Sequence, residues 1–258
     1  MNTETLPITT NNHPSEEKPV IVIEHVYKSF GTNEVLKDFS MKVEKGENVV
    51  VLGRSGVGKS VLIKCIIGLM KADKGDIVVL DKDINGLDHE EMDKMRARVG
   101  FLFQSNALYD SMTVRKNLEF PLRRHWIETT REDMDAMVHE ALENVGLAHT
   151  VDMMPEELSG GMKKRIALAR TLILKPEIIL YDEPTTGLDP VTGKEISMLI
   201  MDVQKKYHTS SIIISHDMHC VKLTASKIVL LMDGKSYCTG TYDELSRSDD
   251  PAVKQFFE

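Results

Sequence analysis

The stretch NVVVLGRSGVGKS, residues 48–60, constrains this 258-residue chain more than any other. VVVL is an unbroken apolar run of the kind found in a strand buried on both faces, and the KSVLIKCIIGLM that follows Gly58 has apolar residues at helical spacing. Between them GRSGVGKS, Gly53 to Ser60, matches the eight-residue phosphate-loop pattern in full, and it does so in the strand, turn and helix context that the pattern needs. Glycines leave backbone N–H groups open to wrap a β-phosphate, Lys59 reaches the β and γ oxygens, and the Ser60 hydroxyl is placed to ligate Mg²⁺. The predicted phosphate-cradling set is therefore Gly53, Arg54, Ser55, Gly56, Val57, Gly58, Lys59, Ser60 and Val61.

A second apolar strand, in PEIILYDEP, delivers two carboxylates at its end. An acidic pair after a strand is usually a solvated turn. In a chain that also holds a phosphate loop, Asp182 becomes the expected Mg²⁺ ligand on the Ser60 side, and Glu183 the residue that orients and polarises the attacking water. LSGGMKKRIALAR, residues 158–170, adds a serine and two glycines at the start of a basic amphipathic helix, whose open amides suit an anion.

The remaining pattern sets the fold class. VIVIEHVYKSF and EVLKDFSMKVEKGE read as strands near the N-terminus, SSIIISHD and KIVLLMDGK as two further buried strands, and the interval from Tyr109 to about Met154 as mostly helical. Strands alternating with helices predict an α/β core with a mainly parallel sheet, an N-terminal antiparallel β region and an inserted helical subdomain at about 106–170. The expected boundaries are a disordered tail at 1–19, one domain over 20–245 and a C-terminal tail at 246–258. A net charge of −8 argues against broad binding to a nucleic-acid backbone. Cys65, Cys220 and Cys238 are scattered without metal spacing and read as small buried hydrophobes of a reducing compartment. The N-terminus lacks the pattern of a secretory signal, and no apolar run approaches the roughly 20 residues that span a bilayer. Location in the cytoplasm is expected, with any membrane role exercised through a partner.

GRSGVGKS, LSGGMKKRIALAR, IILYDEP, TGLDP and IIISHD stand in the order and rough spacing of ATP-binding cassette (ABC) ATPases, and the chain resembles that family from about residue 20 to 245. The serine-glycine-glycine stretch separates ABC ATPases from other phosphate-loop enzymes. The resemblance implies ATP hydrolysis with Mg²⁺. It further implies that Gln104 is the glutamine reaching metal and water, that Asp189 belongs to the D-loop, and that His216 contacts the γ-phosphate. Phe30 resembles the aromatic that stacks on adenine, with Tyr27 as the nearby alternative. Ser159, Gly160 and Gly161 would contact the ATP held by a second copy, because in this family two chains sandwich two nucleotides. Each chain here has one phosphate loop and one such stretch, so a homodimer is the simplest working unit.

A lone cassette of this family usually serves multi-pass permease subunits on separate chains. Leu108, Tyr109, Met112, Val114 and Leu118 offer an apolar set for the incoming permease helix or for the subdomain's own core, with Val114 and Leu118 better suited to the core. LSGGM with Met162, the run FLFQSNALYDSMTVRKNLEFPLR and the ending DDPAVKQFFE resemble the ATPase of the Mla (maintenance of lipid asymmetry) and Mce-associated phospholipid transporters. Val61 after Ser60 and the basic KKR after Met162 depart from the commoner pattern. That branch implies phospholipid moved between inner and outer membranes, a peripheral position on the cytoplasmic face of the inner membrane, a periplasmic lipid-binding subunit and an accessory cytoplasmic subunit. The alternatives are another transported cargo or a soluble, non-transport ABC ATPase.

Overall fold

The computed structural model describes residues 18–125 and 128–257. The tail expected at 1–19 lies outside the described residues except for its last two positions. In chain order come β1 (Ile21–Phe30), β2 (Asn33–Val43), β3 (Asn48–Leu52), α1 (Lys59–Ile66), β4 (Lys74–Val79), β5 (Lys82–Asp83), α2 (His89–Ala97) and β6 (Val99–Leu102). A helical stretch follows, comprising α3 (Val114–Arg124), α4 (Arg131–Glu143) and α5 (Gly160–Leu172). The chain then continues through β7 (Ile178–Asp182), α6 (Pro190–Tyr207), β8 (Ser210–Ile214), α7 (Met218–Thr224), β9 (Lys227–Met232), β10 (Lys235–Gly240), α8 (Tyr242–Ser246) and α9 (Pro251–Lys254).

Two sheets form the body. One is antiparallel, in the order β2-β1-β4-β5, and the other runs β10-β9-β3-β8-β7-β6, parallel throughout except for β10, which is antiparallel to β9. The mainly parallel core and the N-terminal antiparallel region are as the sequence predicts. β4, β5, β6 and β10 are additional: KGDIVV, KD, VGFL and KSYCTG are short, and their glycines and charges weaken the strand pattern.

Every residue of β3, β7 and β8 is buried, which is the fate of parallel strands covered on both sides. The two-residue period of a strand divides these side chains between two cores. Val49, Val51, Ile178, Leu180, Ile212 and Ile214 join α1 and the antiparallel sheet. Val50, Leu52, Ile179, Tyr181 and Ile213 face α5, α6 and α7. A third core lies among α3, α4 and α5, where Val114, Leu118, Leu122, Val138 and Leu142 meet Ile166, Ala169 and Ile173.

Helix α5 belongs to two cores at once. Ala167, Leu168 and Leu172 pack on the parallel sheet, whereas Ile166 and Ala169, with Ile173 just past its end, pack on the other helices. Met162, for which sequence reasoning provides no chemistry, packs against this third core from the first turn of α5.

Candidate active site

A parallel α/β sheet binds ligands outside the carboxyl ends of its strands, and the predicted residues gather there. β3 runs into the phosphate loop, β7 ends on Asp182, and β8 ends two residues before His216. Ser55, Gly56, Gly58, Lys59, Ser60, Val61, Gln104, Glu183 and His216 line one cleft of about 280 Å³, together with Val35. Val35 is an addition, because nothing in the pattern of β2 marks it. It sets the floor under the loop: Gly58 has φ of 111°, and a Cβ there would meet Val35 Cγ1 at 2.6 Å, so only glycine fits.

The charged groups are buried and close together. Lys59 Nζ donates to the carbonyls of Gly53 at 2.7 Å and Arg54 at 3.0 Å, and lies 3.8 Å from Glu183 Oε1. Burial pulls the Lys59 ammonium below its ordinary value, against the raising pull of Glu183 and Asp182. Ser60 Oγ donates to Asp182 Oδ1 at 3.1 Å. Burial also raises the Asp182 carboxyl, and the Ser60 hydrogen bond opposes that rise. A hydroxyl paired with a carboxylate in a buried corner is an incomplete set of hard oxygen ligands, which fits Mg²⁺. The neighbouring cradle of open amides and Lys59 fits a nucleoside triphosphate.

Glu183 sits at φ of 50°, a left-handed conformation that a non-glycine residue adopts only when its surroundings enforce it. The enforcing contacts are visible: Glu183 N donates to Ile214 O, His216 Nδ1 is 2.8 Å from Glu183 Oε2, and Thr186 Oγ1 donates to the same oxygen at 3.3 Å. His216 is otherwise exposed, so it reaches into the cleft from its rim. Thr186 is a second residue that sequence reasoning missed. It opens TGLDP, three residues after Glu183, and a threonine there carries no signal of its own.

Other predicted residues lie elsewhere. Ser159, Gly160, Gly161 and Asp189 line a separate cleft of about 490 Å³, with Met162 and Arg165. Ser159 caps α5, its Oγ accepting from Met162 N at 3.3 Å, so its hydroxyl proton remains available to an anion. Asp189 caps α6 in the same way, accepting from Val191 N and Thr192 N. Phe30 is exposed at the tip of the β1–β2 hairpin, outside the cleft lining, with Lys28 Nζ 5.5 Å from its ring centre. Tyr27 is half-buried and has Lys74 Nζ 6.0 Å from its ring. Arg54 turns away from the cleft, and its guanidinium donates to Gln255 Oε1. Val57 and Phe256 line the same small recess. Gln255 and Phe256 thus lie against the phosphate loop.

The apolar set proposed for a permease helix divides. Val114 and Leu118 are fully buried in the helical core, as their alternative reading has it. Leu108 and Met112 are half-buried, and Tyr109 is exposed beside Phe120, ring centres 4.8 Å apart. Buried Asn117 holds this loop in shape: its Oδ1 accepts from Tyr109 N at 2.8 Å, and its Nδ2 donates to the carbonyls of Tyr109, Met112 and Thr113.

The family model described as ABC transporter matches residues 36–186, more than half of the chain, including the phosphate loop, Gln104, Ser159–Gly161, Asp182 and Glu183. This chain belongs to the ABC transporter family. It is an ATP-binding subunit of that family, with ATP hydrolysis as its activity and ATP and Mg²⁺ as its ligands. Among curated relatives, the probable ribonucleotide transport ATP-binding protein mkl of Mycobacterium leprae is 38% identical over 236 residues, covering 92% of this chain and 68% of the relative. The mycobacterial counterparts from Mycobacterium bovis and Mycobacterium tuberculosis are matched over 66% of their length. The chloroplastic protein trigalactosyldiacylglycerol 3 of Arabidopsis thaliana is 37% identical over 247 residues, covering 90% of this chain and 71% of the relative. A methionine import ATP-binding protein of Campylobacter jejuni is 35% identical over 252 residues, covering 92% and 75%.

Two solved structures are similar at 29% identity. One is a dimeric ATP-binding cassette in a post-hydrolysis state bound to ADP and Pi, with a TM-score of 0.78 covering 86% of this chain and 98% of that one. The other is cbiO1 of Clostridium perfringens, part of the ABC transporter complex cbiONQ, with a TM-score of 0.81 covering 89% and 91%. No helix among the described residues of this ABC ATPase is long and apolar enough to cross a membrane.

Proposed function

We propose that this ABC ATPase works as a homodimer beneath multi-pass permease subunits and that their cargo is phospholipid. The observation that carries the dimer is the separation of two half-sites: the phosphate loop and the Ser159–Gly161 loop line different clefts of one chain. A second copy, turned to face the first, completes each cleft with the other's loop, and the dimeric neighbour bound to ADP and Pi supports that arrangement. In the completed site Lys59 and the loop amides hold the β and γ phosphates, and Ser60, Asp182 and Gln104 hold Mg²⁺. Glu183 orients the attacking water as His216 meets the γ-phosphate. Ser159, Gly160 and Gly161 close on the γ-phosphate from the partner, with Asp189 beside them, so cleavage loosens the dimer. Phe30 stacks on adenine, with Tyr27 as the second choice. The permease is part of this proposal, supported by the cbiO1 complex and by Tyr109 standing exposed after Gln104.

Phospholipid as cargo rests on the Mla-type residues in the sequence and on the plant relative named for a galactolipid. The domain boundaries at 20–245, the periplasmic and accessory subunits and the peripheral position at the inner membrane come with that reading. Ribonucleotide and methionine, in the names of other relatives, are the competing cargoes. The test is to purify the complex with its permease and identify bound small molecules by mass spectrometry. Enriched phospholipid and ATPase activity stimulated by phospholipid vesicles are expected. Enriched methionine or ribonucleotide overturns the cargo while leaving the ATPase intact. In the same complex Glu183→Gln is expected to lower turnover at least 100-fold while ATP binding persists. Full turnover would remove Glu183 from its role.

A further inference from the structure

Helix α5 starts at the loop that serves the partner's nucleotide, yet one flank of the same helix grips the segment carrying Gln104. Lys164 Nζ donates to the Gln104 carbonyl at 2.9 Å. One turn and a half further on, Arg170 donates through Nη2 to the Asn106 carbonyl at 3.0 Å and through Nη1 to the Ala107 carbonyl at 2.7 Å. Lys164 is 2% exposed; burial pulls its ammonium down to about 8, and the one carboxylate that opposes this, Asp182, acts from beyond direct ion-pair contact. A buried ammonium without a paired carboxylate is costly, and a methionine of similar length would pack there at lower cost. Helix stability therefore does not account for Lys164.

The gripped segment needs holding. Asn106 and Ala107 have φ of 64° and 51°, two consecutive non-glycine residues in the left-handed region, where alanine has no side-chain hydrogen bond to compensate. Asn106 Oδ1 is buried and has no hydrogen-bond partner.

We propose that Lys164 and Arg170 are positioning residues, which hold the backbone of residues 104–107 so that the Gln104 side chain faces the phosphate cleft. One rigid helix then links the loop that contacts the partner's ATP to the metal-binding glutamine of its own chain. The proposal rests on the reading of Gln104 as a ligand of Mg²⁺ and water.

The experiment compares Lys164→Met, Gln104→Ala and the double variant in full-length protein. Expected for Lys164→Met are a melting temperature equal to or above that of the unaltered protein and affinity for a fluorescent ATP analogue within twofold. Its kcat falls at least tenfold, and the Mg²⁺ concentration for half-maximal ATPase activity rises at least fivefold. The double variant is expected to be no worse than Gln104→Ala, because Lys164 acts through Gln104. Should Lys164→Met fail to fold, Arg170→Lys carries the same measurements, since it keeps the charge and loses the two-carbonyl fork. Unchanged Mg²⁺ dependence in Lys164→Met beside an impaired Gln104→Ala overturns the clamp alone. Additive losses in the double variant do the same. Unchanged Mg²⁺ dependence in Gln104→Ala overturns the reading beneath it.

Discussion

A methyl group added at Gly160 meets no atom within 4 Å in this chain. Gly160 is exposed at the first position of α5, with no positive φ to demand a glycine. Gly160→Ala removes freedom from the unfolded chain at a site whose folded backbone accepts alanine, which stabilises by about 0.4–1 kcal/mol. For a chain of this size that raises Tm by roughly 1–4 °C. Catalysis is expected to move the other way. In the sandwiched dimer the same methyl lies where the partner's γ-phosphate must approach, and losing one hydrogen bond to a charged group costs about 1.5–3 kcal/mol, roughly 10- to 150-fold in rate. The assay pairs thermal melting with equilibrium binding of a fluorescent ATP analogue at low protein concentration and with phosphate release at high concentration. Unchanged monomer binding, raised Tm and at least tenfold slower release are expected. Weakened monomer binding would place the loop on its own chain's nucleotide, and unimpaired release would mean that no partner approaches it; either result refutes the sandwich.

Two glycines of one chain are expected to respond in opposite ways. At Gly75, with φ of 88°, a Cβ would lie 2.2 Å from the His25 carbonyl oxygen, a backbone atom that cannot move aside, so Gly75→Ala is expected to destabilise by about 2–5 kcal/mol in urea unfolding. Thiol chemistry should report burial. Cys65 is fully buried and desolvation pushes its thiol up to about 11, so at pH 8 iodoacetamide is expected to leave it unmodified in the native protein and to label it once urea unfolds the chain. Labelling at equal rates in both states would contradict the packed core around α1.

The nucleotide half-site was legible because its chemistry is local. Gly53–Ser60 are consecutive in sequence, and a strand leading into them and a helix leading out suffice to place Lys59 and Ser60. Asp182 and Glu183 were found for the same reason, at the end of the apolar run of β7. Gln104 and His216 were legible only through family resemblance, since a lone glutamine or histidine after a strand has no pattern of its own. Residues that act across the fold left no sequence signal. Val35 under Gly58 and Lys164 at Gln104 are ordinary residues in ordinary stretches until packing brings their partners within reach.

Taken alone, the sequence determined the class of the fold and the chemistry of the phosphate loop, since both follow from periodicity and residue type over short stretches. Tertiary structure decided which of the gathered residues share a cleft. Ser159, Gly160 and Gly161 stand away from Lys59 although one chain carries both, because α5 is held by two hydrophobic cores that fix its start at the mouth of a different cleft. The strain at Glu183 and at Asn106 and Ala107 was equally invisible in the sequence, because backbone is forced into the left-handed region only by contacts from elements far along the chain.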